Sequence, residues 1–298
     1  MKRKYMIIVL MAGALELTGC SQGTSNSAKN GTTGSENTII SESDIAILDT
    51  EDMFTERDRD TEYDESECTA ISLSDEETKC DSDGVKMDGQ TVTITEGGTY
   101  LLTGSLSNGS VVVDTDKTEK VQLILENVSI INEEGAGICV EQADKVFITL
   151  ADGSTNKIVS NSFTGNEDTN IDGAIFSRED LTLNGSGTLK ITSAAHGIVS
   201  KDDLVLTGGV YQIQSEKQGL SGKESVRIAD GTFTITSGTD AIHSEDTDED
   251  TKGFVYITGG VLTLAAGGDG ISSSYVVQAD GGSFDISTSS TETDTSTK

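Results

Sequence analysis

The sequence predicts an all-β chain wound as a single-stranded parallel β-helix, and three observations carry the prediction. Glycine recurs at Gly187, Gly209, Gly231, Gly260 and Gly282, in steps of 22 residues with one step of 29. Each of these glycines opens a short phrase of alternating apolar residues, at 188–191, 210–213, 232–235, 261–264 and 283–286. Two further apolar stacks keep the same register: Leu181/Leu183, Leu204/Leu206, Val226/Ile228, Val255/Ile257 and Val277/Ala279, then the single residues Ile175, Ile198, Leu220, Ile242 and Ile271. A fixed period of this length marks a repeat architecture. Alternation of period 2 marks strands, and the intervening Gly, Asn, Asp and Ser supply turns. Three short strands and three turns fill about 22 residues, which leaves no room for a helix. Stacked coils with inward ladders satisfy that pattern. A leucine-rich horseshoe lacks its Leu and Asn spacing here, and a sandwich has no need of strict periodicity.

Taken in chain order, the first 19 residues read as an export signal. Lys2, Arg3 and Lys4 precede a short apolar run, too short to span a membrane. Leu17-Thr18-Gly19-Cys20 resembles the lipobox of bacterial lipoproteins, which implies cleavage before Cys20 and a lipid anchor on its sulfur; a plain secretory signal is the alternative. Either way the chain is expected outside the cytoplasm, held on the cell membrane only through that lipid. Residues 20–83 are Ser/Thr-rich and then strongly acidic, with no sustained period, and read as a disordered tether. The β-helix is expected over 84–287, in about seven or eight coils. Val92/Ile94 and Tyr100/Leu102 form its first coil, with Val121/Leu123/Leu125, Val128/Ile130 and Val146/Ile148/Leu150 following. Insertions fall at 160–170 and 245–252, and insertions in a solenoid map to loops, often on the working face. Residues 288–298 are a low-complexity tail that leaves the last coil poorly capped, so self-association at that end is expected. Of four cysteines, Cys20 is assigned to the lipid, Cys68 and Cys80 are free to pair in an oxidising compartment, and Cys139 reads as a core residue.

The formal net charge is −31, from 51 acidic and 20 basic residues, so nucleic acid is an unsuitable partner. With two histidines and no zinc-ligand spacing, a transition-metal centre is not indicated. Many carboxylates on an exported chain point instead to calcium, which takes oxygen ligands. Overlaying the coils gathers acids at one turn: Glu179-Asp180 after Arg178, Asp202-Asp203 after Lys201, Glu224 after Lys223, and Glu245-Asp246 with Asp248, Glu249 and Asp250. Adjacent coils lie about 4.8 Å apart, so these acids form a continuous edge whose repulsion a cation relieves. Asp246-x-Asp248-x-Asp250 begins like a calcium loop, but Thr251 and Ile257 stand where an EF-hand needs Gly and Glu. A second column holds Asp172, His196, Gln218, Asp240 and Asp269, where Asp172 and Asp240 are candidate ligands and Asp269 reads as turn chemistry. The plain alternative for both columns is a solvated, salt-bridged surface. Tyr256 and Tyr275 are the outward aromatic candidates for sugar contact in the later coils; the chain has no Trp.

The runs at 172–187, 196–204 and 253–260 resemble a clostridial family of carbohydrate-binding β-helix proteins. The resemblance covers roughly 85–287. It implies a right-handed parallel β-helix that binds calcium and plant-wall polysaccharide, cellulose and polygalacturonate among it, without catalysis. The implied fold is similar to that of calcium-dependent pectate lyases, whose calcium cluster Asp180, Asp202 and Asp203 resemble. A β-eliminating lyase is the alternative, with Lys201 and Lys223 as the bases, although a lysine among carboxylates keeps its proton. A calcium-stabilised surface spacer or adhesin is the third reading.

Overall fold

The computed structural model describes residues 8–10, 47–164 and 170–289. The sequence period becomes three ladders of short parallel strands. Sheet A stacks Thr69–Leu73, the first half of Gly98–Leu106, Lys120–Leu125, Lys145–Leu150, Asp180–Gly185, Asp203–Leu206, Ser225–Ile228, Phe254–Ile257 and Val277–Ala279. Sheet B stacks Thr91–Ile94, Ser110–Asp114, Ile138–Gln142, Gly173–Ser177, His196–Ser200, Leu220–Gly222, Ile242–Ser244 and Ile271–Ser273. Sheet C runs from the end of Gly98–Leu106 through Ser129–Asn132, Thr155–Ser160, Thr188–Ser193, Val210–Ser215, Thr232–Ser237 and Val261–Ala266 to Ser283–Thr288. The chain visits them in the order B, A, C and repeats.

The three apolar stacks read from the sequence are the inward ladders. Ile175, Ile198, Leu220, Ile242 and Ile271 pair rung to rung. So do Leu181, Leu204, Val226, Val255 and Val277, and Leu189, Tyr211, Phe233, Leu262 and Phe284. Together they make one continuous core. Tyr211 and Phe233 stack within it, with centroids 4.9 Å apart and planes 5° from parallel. The period is kept by glycine at the corner from sheet A to sheet C. Gly185 has φ +98°, and a Cβ there would sit 2.2 Å from the Leu150 carbonyl oxygen of the rung before, so only glycine fits. In that rung the positive-φ glycine is Gly185, two residues ahead of Gly187, which opens the strand Thr188–Ser193 as the period predicts.

The N-terminal cap lies upstream of the expected boundary at residue 84. Val85–Asp88 folds back antiparallel on Thr91–Ile94, and Thr69–Leu73 already forms a rung of sheet A. The expected disordered tether is therefore corrected over 47–83, which is built into the fold; residues 20–46 lie outside the described residues. The segment 47–62 runs as a strap along the outer face of sheet A, from its last rung back towards its first. Leu48 N–H donates to Gln278 (3.0 Å), Phe54 stacks on Tyr256, and Arg227 donates to the Met53 carbonyl (3.0 Å). Thr207 and Asn184 donate to the Asp58 carbonyl, and Arg57 donates to Gln122 while lying over Phe147. The short helix Glu56–Arg59 carries a Thr55/Asp58 capping box, and Asp58 is buried. Lys145 meets the Asp58 carboxylate at 2.8 Å and Thr182 donates to it at 2.8 Å. A low-hydrophobicity acidic segment orders here because its acid finds a half-buried cation and a buried hydroxyl on the sheet.

Residues 8–10, within the expected signal segment, form a strand parallel to Val277–Ala279 at the far end of sheet A. Cys20 and 290–298 lie outside the described residues. Cys68 and Cys80 are separate free thiols, and Cys139 is buried as expected.

Candidate functional site

The turn from sheet B to sheet A brings the predicted acids together. Serines shape it: Ser177 and Ser200 hydroxyls both donate to the Glu179 carbonyl (2.6 and 3.0 Å), and Asp202 N–H donates to Ser200 (3.1 Å). The parallel register then sets the acids of successive turns side by side. Ligand oxygens of Asp202, Asp203 and Glu224 all lie within 4.8 Å of one another, and each residue is half-buried. Asp180 joins them, its carboxylate accepting from the Asp203 N–H at 3.3 Å. Ser225 and Arg227 hold Asp203, and Lys252 holds Glu224. Asp202 has no such cation among the described residues. Burial, with Asp180, Glu224 and Asp203 beside it, pushes its carboxyl up to about 7. Burial and Asp203 also raise Asp180. The arrangement can hold a hard cation through oxygen donors. Glu224 belongs with the predicted Asp180, Asp202 and Asp203; its signal in the sequence was its register with Asp202 in the next coil.

The other predicted ligands are drawn elsewhere. Asp246 is buried, accepting from the Asp248 N–H at 2.7 Å and the Glu249 N–H at 3.1 Å, which builds the turn of the 245–252 insertion. Asp248 pairs with Lys223 at 3.0 Å. Asp250 is exposed and has no ion pair among the described residues. The calcium-loop spacing here is thus turn chemistry, with Lys223 as counter-charge. Tyr256 is corrected from an outward sugar contact: it is buried under Phe54 of the strap and donates to Asp280 (2.9 Å). Tyr275 is 37% exposed.

Asp172 and Asp240 stand apart from the acidic cluster, beside a groove on the outer face of sheet B. The groove, of about 380 Å³, is lined by His196, Lys201, Gln218, Ser221, Lys223, His243 and their neighbours. Gln218 N–H donates to His196 Nδ1 (3.3 Å), so Nε2 carries the hydrogen that faces Asp172 at 3.4 Å. Burial opposes the charge on Asp172, but the hydrogen bond from His196 and the charge of Lys201 hold its carboxyl below the usual range. Asp240 accepts from Ser272 (2.7 Å) and the Asp269 N–H (2.8 Å) and meets His243 Nδ1 at 3.1 Å. Against the cost of burial, these hold it well below the usual carboxylate range. Through its backbone, Asp269 donates to Asp240 and accepts from the Ala241 N–H (3.0 Å). Both histidines of the chain therefore border one groove. Lys201 and Lys223 border it too, each beside a carboxylate.

A family model described as carbohydrate-binding domain-containing protein matches residues 88–298. The chain belongs to that carbohydrate-binding family. A carbohydrate-binding domain-containing protein of Acetivibrio thermocellus is 34% identical over 137 residues, 45% of this chain and 48% of the relative, so the match spans about half of that relative's length. A solved structure, described as the polysaccharide lyase-like protein from C. thermocellum in a gadolinium derivative, superposes with a TM-score of 0.67 at 30% identity. It covers 73% of this chain and 100% of its own. The family match opens at residue 88, so the strap lies ahead of it, and the acidic corner and the groove lie within it.

Proposed function

We propose that this member of the carbohydrate-binding family is a non-catalytic receptor for an acidic, plant-wall-type polysaccharide, with calcium at the acidic corner. The carrying observation is the Asp202–Asp203–Glu224 cluster, in which Asp202 lacks a protein cation and is pushed up to about 7. The donor set fits calcium: carboxylate oxygens from neighbouring rungs, with Asp180 behind them. Calcium bound there would join protein carboxylates to uronate carboxylates and so resolve the repulsion between an acidic chain and an acidic glycan. We take the winding as right-handed, the hand of nearly all parallel crossover connections, and the anchor as lipid on Cys20, facing outward from the cell membrane.

Retention of the full chain on polygalacturonate, in calcium and then in chelator, tests the reading. Retention that chelator abolishes is expected, and loss of it in Asp203→Asn places the cation. Equal retention in chelator sinks the calcium role, and no retention in either condition sinks the acidic-glycan role.

The lyase reading needs an unprotonated lysine. Lys223 is raised instead, through its hydrogen bond to Asp248 and the charges of Asp246 and Asp248, and Lys201 faces Asp172 at 3.6 Å. These pairings favour charge balance over proton abstraction, so no unsaturated uronate product is expected from polygalacturonate in calcium.

A further inference from the structure

We propose that the groove on the outer face of sheet B is the track in which the polysaccharide lies, with Lys201, Gln218, Ser221 and Lys223 contacting uronate sugars; this rests on the binding role proposed above. The solenoid offers three outer faces. Sheet A is covered by the strap. On sheet C the outward side chains Lys190, Gln212, Thr234 and Thr263 stand exposed on successive rungs. Sheet B alone carries the groove bordered by the 245–252 insertion, through Glu245.

The free cationic donors of that groove are its two lysines, and Gln218 and Ser221 beside them can both donate and accept. Lys201 lies 3.6 Å from its nearest carboxylate oxygen, beyond hydrogen-bond reach. The Gln218 amide and the Ser221 hydroxyl have no partner among the described residues. Lys223 spends one of three N–H groups on exposed Asp248. Of the acids nearby, Asp240 is occupied by Ser272, His243 and a backbone N–H, while Asp172 and Glu245 face the two histidines at 3.4 and 3.5 Å and Asp172 Oδ1 has no hydrogen-bond partner among the described residues. A ligand that fits is therefore rich in acceptors and carries carboxylates, as a uronate polymer does. Val199, Ser221 and His243 are one rung apart on the floor, about 4.8 Å per step. An extended polymer along the solenoid axis thus meets an equivalent lysine on each of two rungs. Lys201 is the chain neighbour of Asp202, and Lys223 of Glu224, so groove and acidic corner share the same turns.

The test is lysine acylation of the full chain in calcium, followed by mass spectrometry, with and without polygalacturonate. Lys201 and Lys223 are expected to be protected several-fold by the polymer, while exposed Lys190 on sheet C reacts unchanged. In parallel, Ser221→Trp fills the groove and is expected to abolish retention while calcium still raises the melting temperature. If the polymer is retained but Lys201 and Lys223 react as in its absence, the groove is wrong and the binding role stands. If the unmodified chain is not retained at all, the binding role fails and takes the groove with it. Should Ser221→Trp not fold, the acylation pattern of the unmodified chain decides.

Discussion

Between about pH 4 and pH 7 Asp202 keeps a proton in the folded chain that it loses in the unfolded one, because its carboxyl rises from 3.8 to about 7. Over that window the native state binds more protons than the unfolded state, so this group's contribution to stability falls as pH rises. In the proposed site calcium would replace the proton. In chelator at pH 7.5, Asp202→Asn is therefore expected to melt higher than the unmodified chain and to lose most of the melting-temperature rise that calcium gives. A substitution that lowers stability at pH 7.5 and keeps the full calcium response contradicts the assignment. Asp58 works with the opposite sign. Burial opposes its charge, yet hydrogen bonds from Lys145, the Thr55 backbone and Thr182 bring it down to about 2. Its stabilisation is present above about pH 4 and is lost as pH falls towards 2. The residue types at the acidic corner were legible because one surface position is copied once per coil. Which of them lack a cation was not, since Arg227, Lys252 and Lys223 reach their partners from other rungs.

At the scale of the strand and its turn, the inward ladders were legible because alternation and a 22-residue period both report burial. The corner at Gly185 shows the limit. The period finds the corner from sheet A to sheet C, but the residue that passes over the Leu150 carbonyl is Gly185. Gly185→Ala forces a Cβ into that backbone at positive φ and is expected to cost about 1–3 kcal/mol; Gly153→Ala, where a Cβ meets nothing within 4 Å although φ is +66°, should cost less. Urea denaturation of the two variants compares them. The insertions also behaved as elements: in one of them, 245–252, Asp246 turns inward on the loop's own backbone N–H groups while Asp248 pairs with Lys223.

Over the whole molecule, the feature that sequence patterning did not reveal is the strap. Its residues are polar and aperiodic, so nothing local distinguishes them from solvated chain; their order comes from side chains on distant rungs. Only the capping box at Thr55 and Asp58, with Met53 and Phe54 before it, marked the place. Asp58→Ala removes the buried acceptor that Lys145, Thr182 and the Thr55 backbone share and is expected to cost about 1–3 kcal/mol, read as a lower urea midpoint at pH 7. A change within experimental error would show the strap to be incidental. In an open stack each repeat holds only its neighbours, and the ends come apart first. Here residue 48 is fastened to the last rung of sheet A and Arg57 to one near the beginning. If the chain is tethered to a surface through its N-terminus, a pull along the solenoid axis enters at the far end and loads Leu48, Met53 and Asp58 in shear together. The mechanical load then falls on the length of the sheet, and the first coil is not the weak point from which the molecule unzips.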